Sequence, residues 1–162
     1  MSTAVDYLNR QFDVLAFQGA QPRGDVQLRQ SLFGTTDGGE VCTGAQKLAQ
    51  RWALEFLTIK GSMPYFMSTR GSDFLTWVRQ GRLRTEFDVR AYFNFAAQQV
   101  KTNLLSEETV AMNTEDRFAQ ATLLQITLFN DSLALTISIT SLAGDSRQVI
   151  LPITITPTNF SV

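Results

Sequence analysis

Apolar and polar residues alternate most regularly in the last third of the chain. Every second position from 133 to 139 is apolar, and these residues are Leu133, Leu135, Ile137 and Ile139. Because successive side chains of a strand point to opposite faces of a sheet, the pattern predicts a strand with one apolar face. Similar runs lie on either side of it, and turn-forming residues separate the runs at 130–132 and 143–145. We therefore predict an antiparallel meander of three strands, at 118–129, 133–141 and 147–156.

The earlier part of the chain contains three stretches with the 3.6-residue period of a helix. The first begins at Thr43, whose hydroxyl group can cap it, and ends before Gly61. Its apolar stripe consists of Ala45, Leu48, Ala49, Trp52, Phe56 and Ile59. The second is short, is capped by Ser72 and stops near Gly81; the third begins at Thr85 and runs to about position 105. The stripe of the third helix consists of Val89, Tyr92, Phe93, Ala96, Val100 and Leu104.

The order of these elements predicts an α+β fold in one domain. Helices come first and strands last, so we expect the helices to pack on one face of a C-terminal antiparallel sheet of three or more strands. The stripe of the third helix and the apolar face of the sheet are natural partners for each other. Residues 43–162 would form this core, and residues 1–42 would be an N-terminal arm or added strands, with short strands at 13–17 and 26–33.

Composition narrows the range of functions. The net charge is −1 and only 18% of residues are charged, which argues against a general binder of nucleic acid or membranes. Eleven of the fourteen basic residues are arginine, a residue favoured in protein interfaces. The chain has no histidine, which removes Ser-His-Asp triads and imidazole metal sites, and its one cysteine is Cys42. We expect no metal and no cofactor, no signal peptide or membrane span in the first twenty residues, and folding in a cytosol.

Four short motifs follow one another in a fixed order after the first helix. They are Gly61-Ser62-Met63-Pro64-Tyr65, Arg70-Gly71-Ser72-Asp73-Phe74, Glu115-Asp116-Arg117 and Ser141-Leu142-Ala143-Gly144. In this order they resemble the baseplate wedge, or sheath-initiator, family of contractile-tailed bacteriophages, some members of which carry a lysozyme-like label. The third motif of that family is Glu-Pro-Arg, so Asp116 stands here in the place of the proline. The resemblance covers roughly residues 43–155, about 70% of the chain.

The resemblance implies a structural protein of the virion, without enzymatic activity. Such a subunit is assembled in the host cytoplasm into the tail baseplate, where it nucleates the tail sheath by strand exchange and subunit contacts. Its partners would be tail sheath subunits, other wedge proteins and tail tube or hub proteins, with no nucleic acid and no membrane. Two alternatives remain open: a lysozyme-like cell-wall hydrolase, and a small binding module or chaperone of another assembly.

Two sets of residues are candidates for structural and partner contacts. Glu115 and Arg117 lie two positions apart at the start of the first predicted strand, which would place both on one face. We predict that they fix the junction between the helices and the sheet; ordinary solvated charges are the alternative. Five arginines, Arg70, Arg79, Arg82, Arg84 and Arg90, cluster around the second and third helices. They predict either a basic patch for an acidic partner, centred on Arg79, Arg82 and Arg84, or a solvated face with local ion pairs.

The last predicted strand carries a further candidate interface. Pro152 has no amide proton, so it predicts an edge position for this strand. The strand is mostly apolar, and an exposed edge of this kind recruits other chains. The interface residues predicted there are Arg147, Val149, Leu151, Ile153 and Ile155. Coverage of the same edge by residues 1–33 is the alternative.

A hydrolase would need two carboxylates roughly 5–9 Å apart. The candidate carboxylates are Glu55, Asp73, Glu86 and Glu115, and nothing in their spacing pairs any two of them.

Overall fold

The computed structural model describes residues 13–14, 41–62, 69–128 and 132–154. Two short strands open the described chain, β1 (Asp13–Val14) and β2 (Val41–Cys42). Three helices follow, namely α1 (Gly44–Leu57), α2 (Phe74–Arg79) and α3 (Glu86–Glu107). A 3-10 turn (Thr114–Asp116) leads into the strands β3 (Phe118–Leu128), β4 (Ser132–Ser141) and β5 (Ser146–Thr154). The predicted α+β fold, with helices packed on a C-terminal antiparallel sheet, is confirmed.

The sheet has the order β3-β4-β5, with both neighbouring pairs antiparallel. The four alternating apolar residues of β4 are fully buried, and the residues between them are partly exposed, as the alternation predicts. The described strand ends agree with the prediction to within a residue or two, and positions 129, 155 and 156 lie outside the described residues.

Two helices share the inner face of the sheet. α3 lies along β3, and its stripe residues Val89, Phe93 and Val100 are buried. α1 covers β4 and β5. The prediction that the third helix docks on the sheet is thus confirmed for β3. The inner face of β4 and β5 is covered by the apolar stripe of α1.

Aromatic side chains fill the space between the helices. Trp52 stacks on Phe56 with ring centroids 4.8 Å apart, and Phe56 in turn contacts Phe74 and Phe93 at 4.8 and 5.5 Å. These four rings join all three helices into one hydrophobic core with the sheet. Trp77 is only partly buried and packs on Tyr92, so the outermost residue of the α3 stripe contacts α2.

The helix ends show where the capping predictions hold. The Thr85 hydroxyl group accepts a hydrogen bond from the Asp88 amide, and the Asp88 side chain accepts one from the Thr85 amide, which is a complete capping box. Thr43 occupies the N-cap of α1 but makes no capping bond with its side chain. Ser72 stands one residue before the N-cap of α2, yet its hydroxyl group still accepts a bond from the Phe74 amide.

Part of the predicted N-terminal arm is described. β1 pairs antiparallel with β2, directly before α1, and Cys42 in β2 is buried. The rest of the predicted arm, the second predicted N-terminal strand and positions 63–68 lie outside the described residues.

Candidate interaction surfaces

The outer edge of β5 is open among the described residues. β5 pairs with β4 through nine consecutive residue pairs, from Ser132 opposite Thr154 to Thr140 opposite Ser146, without an irregularity. No described strand lies on its other side. A regular strand with one unpaired side presents main-chain N–H and C=O groups at the spacing at which a further strand can form hydrogen bonds with them.

The described side chains predicted for this interface all lie on the inner face of the sheet, opposite the buried residues of β4. Leu151 and Ile153 are 2% and 6% exposed and belong to the hydrophobic core, so a partner of the folded chain would meet the main chain of β5 and not these side chains. Val149 is partly buried against the same core, and Arg147 is exposed. Ile155 lies outside the described residues.

The sheet is nearly free of charge. In β3, β4 and β5 together the only ionisable side chain is that of Arg147. Folded proteins commonly protect open sheet edges with lysines or other charges, because unprotected edges aggregate. β5 carries no charge along its apolar half, from Val149 to Ile153, where Pro152 is the one residue that cannot donate to a further strand.

β3 forms the opposite edge of the sheet and differs from β5. Its pairing with β4 shifts register twice, between Phe118 and Gln120 and between Leu123 and Gln125. Such irregularities bend a strand and break the row of main-chain groups that a partner strand would need. Of the two described edges, β5 is therefore the better acceptor for a strand.

The charged residues predicted at the helix-to-sheet junction have different partners from those predicted. Glu115 lies in the 3-10 turn, and β3 begins only at Phe118, so the shared-face argument for Glu115 and Arg117 is wrong. The Nε atom of Arg117 lies 4.0 Å from Oε2 of Glu108, whose side chain is only 3% exposed. Glu108 also accepts a hydrogen bond of 2.7 Å from the Phe118 amide. The ion pair at this junction is therefore that of Glu108 with Arg117, whose facing atoms are too far apart for a hydrogen bond.

Glu115 instead lies at the N-terminus of α1. Its Oε2 atom is 3.1 Å from the place where a Cβ atom on Gly44 would lie, and Gly44 has a φ of 56°. Because α1 has no acidic residue in its own first turn, Glu115 supplies the negative charge that a helix N-terminus favours. Glu115 and Arg147 also line one open polar pocket of about 440 Å³, so two residues predicted for separate roles meet there.

A turn at residues 70–73, which we call the Gly71 turn, joins α1 to α3. Every backbone amide from Gly71 to Phe74 donates a hydrogen bond within the protein. The acceptors are Oε1 of Glu55 at 2.8 Å, the Thr58 carbonyl group at 2.8 Å, Oε1 of Gln99 at 2.9 Å and the Ser72 hydroxyl group at 3.3 Å. Gly71 has a φ of 93°, and a Cβ atom there would clash with the Thr58 carbonyl group. Only glycine fits this position.

The charges around the Gly71 turn are also paired. Arg70 bridges Glu55, at 3.1 Å, and Glu107, which in turn binds Arg51. Asn103 donates a hydrogen bond of 2.7 Å to Oε1 of Glu55, the oxygen that also accepts from the Gly71 amide. Glu55 is 9% exposed, and both of its carboxylate oxygens are bonded. The hydrogen bonds of Glu55 therefore link α1 to the Gly71 turn and to α3.

The arginine cluster predicted around α2 and α3 divides into paired and unpaired members. Arg70 belongs to the network around the Gly71 turn, and Arg90 pairs with Glu86 four residues earlier at 2.7 Å. Arg79, Arg82 and Arg84 are exposed, and no carboxylate of the described residues forms an ion pair with their guanidinium groups.

The remaining carboxylates considered for a hydrolase have structural settings as well. Asp73 accepts a hydrogen bond of 2.6 Å from Gln99, and Glu86 pairs with Arg90. Within the described ranges, no group of three or more His, Cys, Asp and Glu side chains could hold a metal ion. None of the described helices is long and apolar enough to span a bilayer.

No protein-family model matches the chain, and no curated protein is significantly similar to it in sequence.

Proposed function

We propose that the chain is a structural subunit of a contractile tail, a baseplate wedge protein on which the tail sheath begins to assemble. The observation that carries the proposal is the β5 edge, which is regular, apolar along Val149–Ile153 and open among the described residues. A free edge of this kind is a liability in a protein that acts alone and is useful in one that joins an assembly. The proposed partners are tail sheath subunits, other wedge proteins and tail tube or hub proteins.

The order of elements supports the family resemblance on which the proposal rests. The motif around Gly71 forms a closed turn between a first helix and a short second one. The Glu115-Asp116-Arg117 motif forms the step from the long third helix into the sheet. These two of the four motifs thus have a definite structural role. The task of Arg117 is to pair with Glu108, and the task of Glu115 is to face the N-terminus of α1.

Strand addition is the proposed mechanism. An extended segment of a sheath subunit lies antiparallel or parallel to β5 and takes up its free main-chain hydrogen bonds. The core behind β5 is already complete, because Leu151 and Ile153 are buried in it. The sheet therefore presents a rigid template, and the incoming segment bears the entropy cost of ordering. Nine residues of β5 span about 30 Å at the usual rise per residue of a strand.

The composition of tail particles tests the assignment itself. If the proposal is right, mass spectrometry of tail particles, purified intact from the phage that encodes the chain, finds the protein in a fixed ratio to the sheath subunit. Deletion of its gene leaves particles without an extended sheath. Particles that assemble a normal sheath without the protein would overturn the proposal.

A zymogram tests the hydrolase alternative separately. Because both carboxylate oxygens of Glu55 accept hydrogen bonds within the protein, we expect clean protein to leave peptidoglycan intact. A lytic band that Glu55→Gln or Glu115→Gln abolishes would favour the hydrolase.

A further inference from the structure

A second surface, separate from the β5 edge, lies where α2 turns into α3. We call it the α2–α3 corner, and it consists of Arg79, Arg82, Arg84 and Phe87. All four side chains are exposed, and Phe87 is 79% exposed on the first turn of α3. Between the arginines, Leu83 is buried in the core and fixes the connecting segment to the rest of the protein.

The backbone of this corner is rigid. At the end of α2 the Arg82 amide donates to the Trp77 carbonyl group, and the Gly81 amide donates to that of Val78. With Gly81 at a φ of 64°, these two bonds form a Schellman motif. Two residues later, the Arg84 amide donates to the Asp88 carboxylate at 3.3 Å. The exposed side chains thus project from fixed points, so a partner meets them without ordering the backbone first.

The nearby acidic residues do not neutralise these arginines. Glu86 forms an ion pair with Arg90, and the Asp73 carboxylate accepts a hydrogen bond from Gln99. Asp88 receives the Thr85 amide at 3.0 Å and the Thr85 hydroxyl group at 2.9 Å, so it serves the capping box of α3. The Arg84 side chain donates to the Gly81 carbonyl group at 3.4 Å, and its charge also acts on the nearby Asp88 carboxylate. Among the described residues, Arg79 and Arg82 have no ion-pair partner and Arg84 is only partly compensated, in a protein whose net charge is −1.

We propose that the α2–α3 corner binds an acidic protein segment that also carries a bulky apolar side chain. Carboxylates of the segment pair with Arg79, Arg82 and Arg84, because guanidinium groups bind carboxylates in a planar, two-bonded geometry. The apolar side chain packs on the ring of Phe87, since aromatic residues and arginines together are characteristic of protein interfaces. The proposal is independent of the β5 edge and of the assignment to a contractile tail.

An acidic protein segment fits the corner better than a nucleic acid does. Affinity for a phosphate backbone grows with the number of cations that contact it, and binders of nucleic acid commonly use a larger basic surface. Here the basic surface consists of three arginines within six positions. It does not extend along α3, because Arg90 is paired with Glu86.

Selection from a library of random displayed peptides tests the proposal on the full chain. We expect the wild-type protein to enrich peptides with several Asp or Glu residues around a Leu, Ile or Phe. The triple variant Arg79→Gln, Arg82→Gln, Arg84→Gln should lose this enrichment. Lys60→Gln, which removes an exposed positive charge elsewhere, is the control and should keep it.

Fluorescence anisotropy with the selected peptide then gives the size of the effect. Loss of three exposed ion pairs corresponds to about a tenfold rise in Kd for the triple variant. Phe87→Ser should weaken binding at both low and high salt, because its contact is apolar. Circular dichroism melts check that each variant is folded. Peptides without an acidic bias, equal binding by the triple variant, or an oligothymidine DNA that displaces the peptide at lower concentration would each overturn the proposal.

Discussion

The Gly71 turn and the β5 edge differ in how fully their main-chain groups are hydrogen-bonded within the described part of the chain. At the turn, every amide from Gly71 to Phe74 has an acceptor inside the protein, and the surrounding charges pair with one another. Along β5, one side of the strand bonds to β4, and the other side has no described strand beside it. The difference indicates a closed interior that carries stability and an open edge that is free to carry contacts. Changes at the turn should therefore alter folding, and changes at the edge should alter assembly.

The largest effect is expected from Gly71→Ala. The new methyl group would meet the Thr58 carbonyl group, and the residue would have to keep a φ of 93°. We expect a loss of about 3–5 kcal/mol in the free energy of unfolding, measured by denaturant melts. The control is Gly144→Ala, at a φ of 91° with nothing near the added methyl group, where only about 1–2 kcal/mol should be lost. Equal losses at the two positions would mean that the turn is not closely packed.

Phe93→Ala should come next, because this ring is buried among the aromatic residues of all three helices. We expect it to lower the free energy of unfolding by about 3–5 kcal/mol. Phe95→Ala, two positions along the same helix and 66% exposed, should cost about 0.5 kcal/mol or less. A loss under about 1 kcal/mol for Phe93→Ala would show that α3 packs on the sheet with a different face.

A smaller effect is expected at the start of α3. The hydrogen bond from the Thr85 hydroxyl group, followed by those from the Thr85 and Arg84 amides, lowers the pKa of Asp88 from its usual 3.8. A carboxyl group with a lowered pKa in the folded state stabilises the protein above pH 3.8, and the stabilisation is lost as the pH falls through the folded-state pKa. Thr85→Ala removes the main cause, so an NMR titration should find a higher pKa for Asp88 in the variant. The same change should cost about 1 kcal/mol at neutral pH. An unchanged pKa would contradict this account.

Local patterns predicted the parts of the fold that local geometry controls. The alternation in β4 identified its buried face, and Thr85 identified the start of α3 because a capping box lies within four residues. Pro152 predicted an edge position because a missing amide restricts where a strand can lie, and among the described residues β5 pairs with β4 alone.

Long-range pairings were not visible in the sequence. Arg117 pairs with Glu108 nine positions earlier, across a 3-10 turn that has no periodic signature, so the spacing of Glu115 and Arg117 was misleading. The role of Glu55 depends on Arg70 and Asn103, which only the folded chain brings beside it. Leu151 and Ile153 were predicted to be interface residues because the sequence of an apolar strand does not show which partner buries its side chains. In the structure the core of the same chain buries them.

The open β5 edge is tested most directly by two matched pairs of substitutions. Gln148→Lys with Thr154→Lys places two charges on exposed positions of β5, and Gln120→Lys with Gln125→Lys does the same on β3. Because all four side chains are exposed or nearly so, we expect both double variants to melt within about 0.5 kcal/mol of the wild type. Lysines along an edge block the addition of another strand.

Sheath assembly on the baseplate, counted by electron microscopy, is the deciding measurement. On the proposed assignment to a contractile tail, each double variant replaces the wild-type gene in the phage genome, and particles with a full-length sheath are scored. The account predicts few sheathed particles for the β5 variant and normal numbers for the β3 variant. Normal assembly on a folded β5 variant would contradict strand addition at this edge.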